Sequence, residues 1–330
     1  MINFKIIDSN PQGGCSYYRS IGPFSKLKYL DDSISIECLS QVSWPVLADA
    51  DIVMIQRPII DNHIDSLKMI KDFGIKIWVD IDDCLHEIPP KHPFYENIQC
   101  HNMLHHLEQS LIMANVVTVS TQTLAGYYAK FNKNIIVISN AFNDYNYKFE
   151  KIKKTVDFIN WRGSNTHYYD LLEYKQFILS IAEKYPRWSW SFIGDDTKHI
   201  TDYLNNCFSK KETDLLKYNK YISELHPAIS IVPLVFNKFN MAKSNCAWLE
   251  ATYSGAAVLA PTMPEFEMPG ITLYNKNNIQ SFEYQLDKLI KNEKLRKENY
   301  EKSYEYIKNN LLLSIVNKKR LQIINSLIEK

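Results

Sequence analysis

The chain has 330 residues, 45% hydrophobic and 23% charged, with 38 basic against 37 acidic side chains and a formal net charge of +1. That length exceeds one ordinary domain and suits two of about 150 residues each, and the composition is that of a globular protein with no apolar run of the ~18 residues a membrane helix needs. A membrane-spanning chain, a disordered chain and a globally basic nucleic-acid binder are excluded, although a near-neutral total leaves room for a local basic patch. The six cysteines, Cys15, Cys38, Cys84, Cys100, Cys207 and Cys246, contain no C-x-x-C pair, which argues against a zinc ribbon or redox motif. The chain opens on a short apolar run without the basic start and long apolar core of a signal peptide, which predicts a cytoplasmic protein.

Phe4 to Ile7 reads as a strand, and residues 11–19 as a glycine loop feeding a helix. Gly13 and Gly14 let the backbone approach a ligand, and Arg19 is either a phosphate or acceptor contact or a surface arginine beside a turn. Runs at 34–39, 52–56, 76–80, 116–120 and 135–138 alternate with helical patterns, which predicts a parallel sheet with helical crossovers. Asp80, Asp82 and Asp83 cluster where the 76–80 strand ends. As an Asp-x-Asp pair they would hold a divalent cation; as cleft residues, one caps the next turn and another orients an acceptor hydroxyl. His101 and His105 share a helical face at zinc-like spacing, but without a third ligand they read as ordinary surface or cleft histidines.

The polar run 143–154 is the expected linker. A second sheet begins at 156–160 and leads into Arg162, Gly163, Ser164 and His167, where backbone N–H groups and a cation would cradle phosphate oxygens. Strands are expected at 190–193, ending in Gly194-Asp195-Asp196, and at 229–233, 257–260 and 271–274. A helical tail is expected over 279–328, with a break at Asn309-Asn310 and an apolar face including Leu312, Ile315, Leu321, Ile324 and Leu327. Between the strands, residues 243–261 read as loop, helix, glycine stop at Gly255 and buried strand. Glu250 sits inside that apolar helix, where a carboxylate must be paired, and vicinal hydroxyls of a ribose would satisfy both its oxygens. Lys243 lies where a helix start gathers anions.

Asn240-x-x-Lys243-Ser244, then Trp248-Leu249-Glu250 and Gly255-Ala256-Ala257-Val258, resembles the donor-binding segment of GT-B glycosyltransferases. Retaining members commonly carry two glutamates there; Glu250 matches the ribose-binding second, and Ala242 stands where the first would fall. Asp80-Ile81-Asp82-Asp83 followed by Ile88-Pro89-Pro90 is similar to segments of GT-B enzymes encoded by large bacterial viruses.

The resemblance implies an α/β fold of two Rossmann-like domains facing a cleft, 1–150 on the acceptor side and 151–310 on the donor side, with a helix at 311–330 returning to the first. It implies a glycosyltransferase taking a nucleoside-diphosphate sugar, a UDP-sugar foremost, with retention and no obligatory metal. Arg162 and Lys243 would stabilise the leaving diphosphate, with Asp82 as the catalytic carboxylate of the acceptor side. Gly163, Ser164, His167, Gly194, Asp195, Asn240, Ser244 and Glu250 would hold the donor, and Gly13, Gly14, Arg19, Asp80 and Asp83 would line the acceptor side. The acceptor is a saccharide or small molecule, or a hydroxymethylated base in viral DNA, for which Arg19, Lys26, Lys28, Arg57 and Lys91 would supply charge and Tyr17, Tyr18, Phe94 and Tyr95 stacking. A nucleotide-sugar epimerase of the same fold and a catalytically silent nucleotide-sugar-binding module, which Ala242 would suit, are the competing readings.

Overall fold

The computed structural model describes residues 1–8, 10–40, 44–59, 61–100, 102–211 and 215–329; His101, one of the two histidines at zinc-like spacing, lies outside the described residues. Six strands, β1 (Ile2–Ile7), β2 (Ile34–Leu39), β3 (Ile52–Gln56), β4 (Lys76–Ile81), β5 (Val116–Val119) and β6 (Ile135–Val137), form a parallel sheet in the order β2-β1-β3-β4-β5-β6. A parallel sheet is covered on both faces, so its inner strands are written as unbroken apolar runs. β3 is buried along its whole length, with Val53 and Ile55 on one core and Ile52 and Met54 on the other.

A second sheet is built in the same way from β7 (Val156–Gly163), β8 (Ser189–Gly194), β9 (Cys207–Lys210), β10 (Pro227–Ile231), β11 (Ala257–Pro261) and β12 (Ile271–Tyr274), in the order β12-β11-β10-β7-β8-β9, again all parallel. The chain reverses its direction of travel through the sheet between β1 and β3 in the first unit and between β7 and β10 in the second. Open α/β sheets bind ligands beyond the carboxyl ends of their strands at such switch points. The second is bordered by Arg162 and Gly163 on β7 and by the segment that follows β10.

The carboxyl edges of the two sheets meet. Asp83 beyond β4, Thr121 beyond β5 and Asn140 beyond β6 each bond residues 242–246 of the second unit. The tail breaks at Asn292, where no break is expected and the side chain caps the helix Glu293–Asn310 by accepting from the Leu295 N–H at 2.9 Å, and again after Asn310, as expected, before the helix Leu313–Ile328. At that second break Phe142 pairs with residues 311–313 through backbone bonds of 2.8 and 2.7 Å, and Asp144 accepts from both the N–H and the hydroxyl of Ser314. The last helix therefore returns to the first unit, where Ile323, Ile324 and Leu327 pack with Phe4, Phe24 and Trp78. Ile315 of the expected apolar face is instead exposed.

Candidate functional site

The helix Cys246–Tyr253 follows residues 242–245 and stops at Gly255, whose φ of +95° is open to glycine at little cost. The Gly255 N–H bonds Thr252 O and the Ala256 N–H bonds Ala251 O, the paired bonds of a left-handed helix stop. Glu250 on this helix is 4% exposed. Its Oε1 accepts from the Tyr18 hydroxyl at 2.6 Å and its Oε2 from the Tyr218 hydroxyl at 2.9 Å. Arg162 Nε, from the end of β7, stands 2.5 Å from Oε2, an ion pair by distance although neither Nε nor Nη2 makes an aligned hydrogen bond. Burial works against the Arg162 charge, and the Glu250 carboxylate outweighs it and raises the guanidinium further above its ordinary range. A buried carboxylate is thus satisfied by a cation and two hydroxyls, one of which comes from the other unit.

A second charged group spans the cleft beside it. Lys243 Nζ bonds Asp83 Oδ1 at 3.1 Å and lies 4.3 Å from the centre of the Phe239 ring. Arg57, at the end of β3 with a φ of +50°, bonds Asp82 Oδ1 at 2.5 Å through Nε and Asp83 Oδ2 through Nη2. Burial pushes the Asp83 carboxyl upward, but the charges of Lys243 and Arg57 win and hold it below the carboxylate range. His92, in the first unit against Phe239, is lowered to about 4 by burial and by the neighbouring Lys243 charge.

The residues expected to cradle phosphate lie at the end of β7 and just beyond it. Gly163 lies opposite Gly194 in the register of β7 and β8, and a Cβ on Gly194 would meet Gly163 O at 1.7 Å, so the two backbones touch where a side chain cannot fit. Ser164 shares a 2.7 Å bond with Thr166. His167 Nδ1 is 2.9 Å from Asp170 Oδ2, and the other Asp170 oxygen accepts from the Val235 N–H and Asn240 Nδ2, so a buried carboxylate fixes the ring. Asp195, on the loop after β8, is 3.6 Å from Lys211.

Three expected contacts take a different place. Arg19 and Asp80 are 1% and 2% exposed and bind each other through two bonds, at 3.0 and 2.7 Å; Arg19 also bonds Ile138 O and Asn140, and Asp80 accepts from Thr118. They form a buried clamp within the first unit and do not offer the exposed contact expected of them. Asn240 is 3% exposed and turned onto Asp170 and Val235 O, so it positions His167 through Asp170. Gly13 caps the short helix that begins at Gly14, in extended conformation, and Ser244 accepts from Asn140 Nδ2 at 2.9 Å. Asp80 and Asp82 do not form an open Asp-x-Asp pair, because Arg19 takes one and Arg57 the other.

Tyr218, Asp170, His92 and the pairing of Arg57 escaped the sequence reading. Only Asp170, three residues after His167 at a helix start, carried a legible signal. Arg57 is neutralised by Asp82 and Asp83, and Tyr17 accepts from Asn219 Nδ2 at 3.0 Å, so neither is free in the way a nucleic-acid surface would require.

No protein-family model matches the chain, and no curated protein matches it in sequence. Among solved structures it is similar to a sucrose-phosphate synthase from Thermosynechococcus elongatus, at 9% identity and TM-score 0.68 over 100% of both chains. It is similar to HepE from Anabaena, solved with UDP and glucose, at 11% identity and TM-score 0.66 over 99% of this chain and 100% of that one. It is also similar to a putative UDP-N-acetylglucosamine 2-epimerase from Listeria monocytogenes, at 9% identity and TM-score 0.62 over 99% and 97%. Two parallel six-stranded sheets, edge facing edge, and a last helix returning to the first are the GT-B fold, and the chain has that fold.

Proposed function

We propose that this protein is a glycosyltransferase that moves a sugar from a nucleoside-diphosphate sugar to an acceptor hydroxyl. The observation that carries the reading is that Arg162, near the carboxyl end of β7, pairs with the buried Glu250, while Lys243, in the segment that follows β10, pairs with Asp83 of the first unit. Glu250 would receive the ribose hydroxyls. Lys243, Arg162 and His167, with the backbone N–H groups around Gly163 and Ser164, would receive the diphosphate. Gly194 and Asp195 lie on the loop proposed for the base. Asp82 would orient the acceptor hydroxyl.

In the transfer, the bond from the anomeric carbon to the diphosphate oxygen breaks as its bond to the acceptor oxygen forms, and the acceptor proton leaves with the diphosphate. Cations on the leaving group do here what a metal does elsewhere, so no metal is required. HepE, of the same fold, was solved with UDP and glucose, which supports a UDP-sugar donor. Retention rests on the match of Glu250 to the ribose-binding glutamate of retaining members. A saccharide or small-molecule acceptor is favoured over DNA, because the buried Arg19 and the paired Arg57 remove two of the five cations proposed for a phosphate backbone.

The test is a panel of UDP-, GDP-, ADP- and dTDP-sugars, with release of nucleoside diphosphate followed with and without hydroxyl acceptors and in EDTA. Release that depends on an acceptor and survives the chelator is expected. Conversion of the donor alone to its epimer would replace this reading with that of an epimerase, which the likeness to the Listeria protein favours. Thermal stabilisation by a nucleotide sugar without any turnover would leave a binding module.

A further inference from the structure

Both side chains assigned to the ends of the donor are already occupied by residues of the other unit. Tyr18 places its hydroxyl 2.6 Å from Glu250 Oε1, where a ribose hydroxyl would donate. Asp83 places a carboxylate oxygen 3.1 Å from Lys243 Nζ, where a phosphate oxygen would accept. The stand-ins match the donor in chemistry as well as position: a hydroxyl meets the carboxylate and an anion meets the ammonium. Tyr18 lies on the short helix Gly14–Arg19 that follows β1 and Asp83 on the loop that follows β4, both at the carboxyl edge of the first sheet, and bonds from Asn219 to Tyr17 and from Asn140 to Ser244 close the same seam.

We infer that the donor site is self-capped, with Tyr18 and Asp83 holding Glu250 and Lys243 until a nucleotide displaces them. The inference rests on the reading that Glu250 and Lys243 hold the donor. A ligand that must displace an internal competitor binds more weakly by the fraction of molecules left uncapped, so removing the competitor tightens binding. That is the opposite sign from removing a ligand contact. Tyr18 comes from the first unit, so loss of its hydroxyl frees Glu250 Oε1 without taking a group from the second unit, while Oε2 stays with Tyr218 and Arg162.

The experiment is calorimetric titration of uridine and of UDP into the full chain, wild type, Tyr18→Phe, Asp83→Asn and Glu250→Ala. Tyr18→Phe is expected to tighten both probes by about tenfold, Asp83→Asn to tighten UDP by a similar factor without changing uridine, and Glu250→Ala to weaken both. Unchanged or weaker binding in both Tyr18→Phe and Asp83→Asn, with Glu250→Ala still impaired, overturns the cap and leaves the donor site standing. Glu250→Ala binding both probes as the wild type does would remove the donor site from this helix, and the cap with it. Should Tyr18→Phe melt early and fail to fold, Asp83→Asn decides through the contrast between UDP and uridine.

Discussion

Arg19 holds both oxygens of Asp80 at 3.0 and 2.7 Å inside the first unit, with 1% and 2% of the two residues exposed. Removing one partner of such a pair strands the other charge away from water, which costs about 3–5 kcal/mol, whereas an exposed pair is worth at most about 1 kcal/mol. Arg19→Ala and Asp80→Ala should therefore each lower the unfolding free energy by about 3–5 kcal/mol in a denaturant titration. A loss below about 1 kcal/mol in both would return the pair to the surface and reopen Arg19 as an acceptor contact.

Lys243 stands on the opposite footing, since it is partly exposed and bonds a single carboxylate across the cleft. Lys243→Ala should leave uridine binding unchanged and weaken UDP binding by about 1.5–3 kcal/mol, the range for a hydrogen bond to a charged group. Equal losses for the two probes would mean that the substitution disturbs the whole cleft, and would withdraw Lys243 from the diphosphate.

The two sheets were legible because strands buried on both faces are written as apolar runs, as at 52–56 and 257–261. β9 was not, because Phe208, Ser209 and Lys210 on this edge strand are exposed and no apolar pattern marks it. Glu250 could be read from its helix, since a carboxylate among apolar residues demands a partner. Its partners could not, because Tyr18 lies 232 positions away and meets it only through the docking of the two units, and Tyr218 lies on another helix of the same unit. Arg19 shows the converse limit: an arginine after a glycine loop has the same local pattern whether it meets a ligand or a buried aspartate.

His92 gives stability a pH dependence with a definite sign. Burial, and then the Lys243 charge, depress its folded value to about 4, below the ~6.5 of an unfolded histidine. Between these values the unfolded chain binds the proton and the folded chain does not, so the His92 contribution is complete above about 6.5 and is lost as pH falls toward 4. Asp83 acts lower: its depressed value adds stability above the ordinary aspartate range of about 3.9, which is lost as pH falls below it. Urea midpoints measured from pH 7 down to pH 4 should fall for the wild type, and fall less for His92→Gln over that window. Parallel curves for the two proteins would assign the acid limb to other groups.

Ala242 supplies the last test, because it occupies the place of the first glutamate of the retaining pattern. It is 1% exposed, belongs with Phe239 to the apolar cluster that contains Leu85, Leu124 and Tyr128 of the first unit, and its carbonyl accepts from Thr121 Oγ1 at 3.3 Å. Position 242 is therefore part of the seam between the units and does not open onto a polar sugar pocket. A glutamate there would bury a carboxylate without a partner, at a cost of about 2 kcal/mol or more. Ala242→Glu should accordingly lower the thermal midpoint, loosen the closed form and leave turnover of a nucleotide sugar no faster than in the wild type. A variant as stable as the wild type with faster transfer would show that the site accepts the glutamate after all, and would place the donor sugar against residue 242.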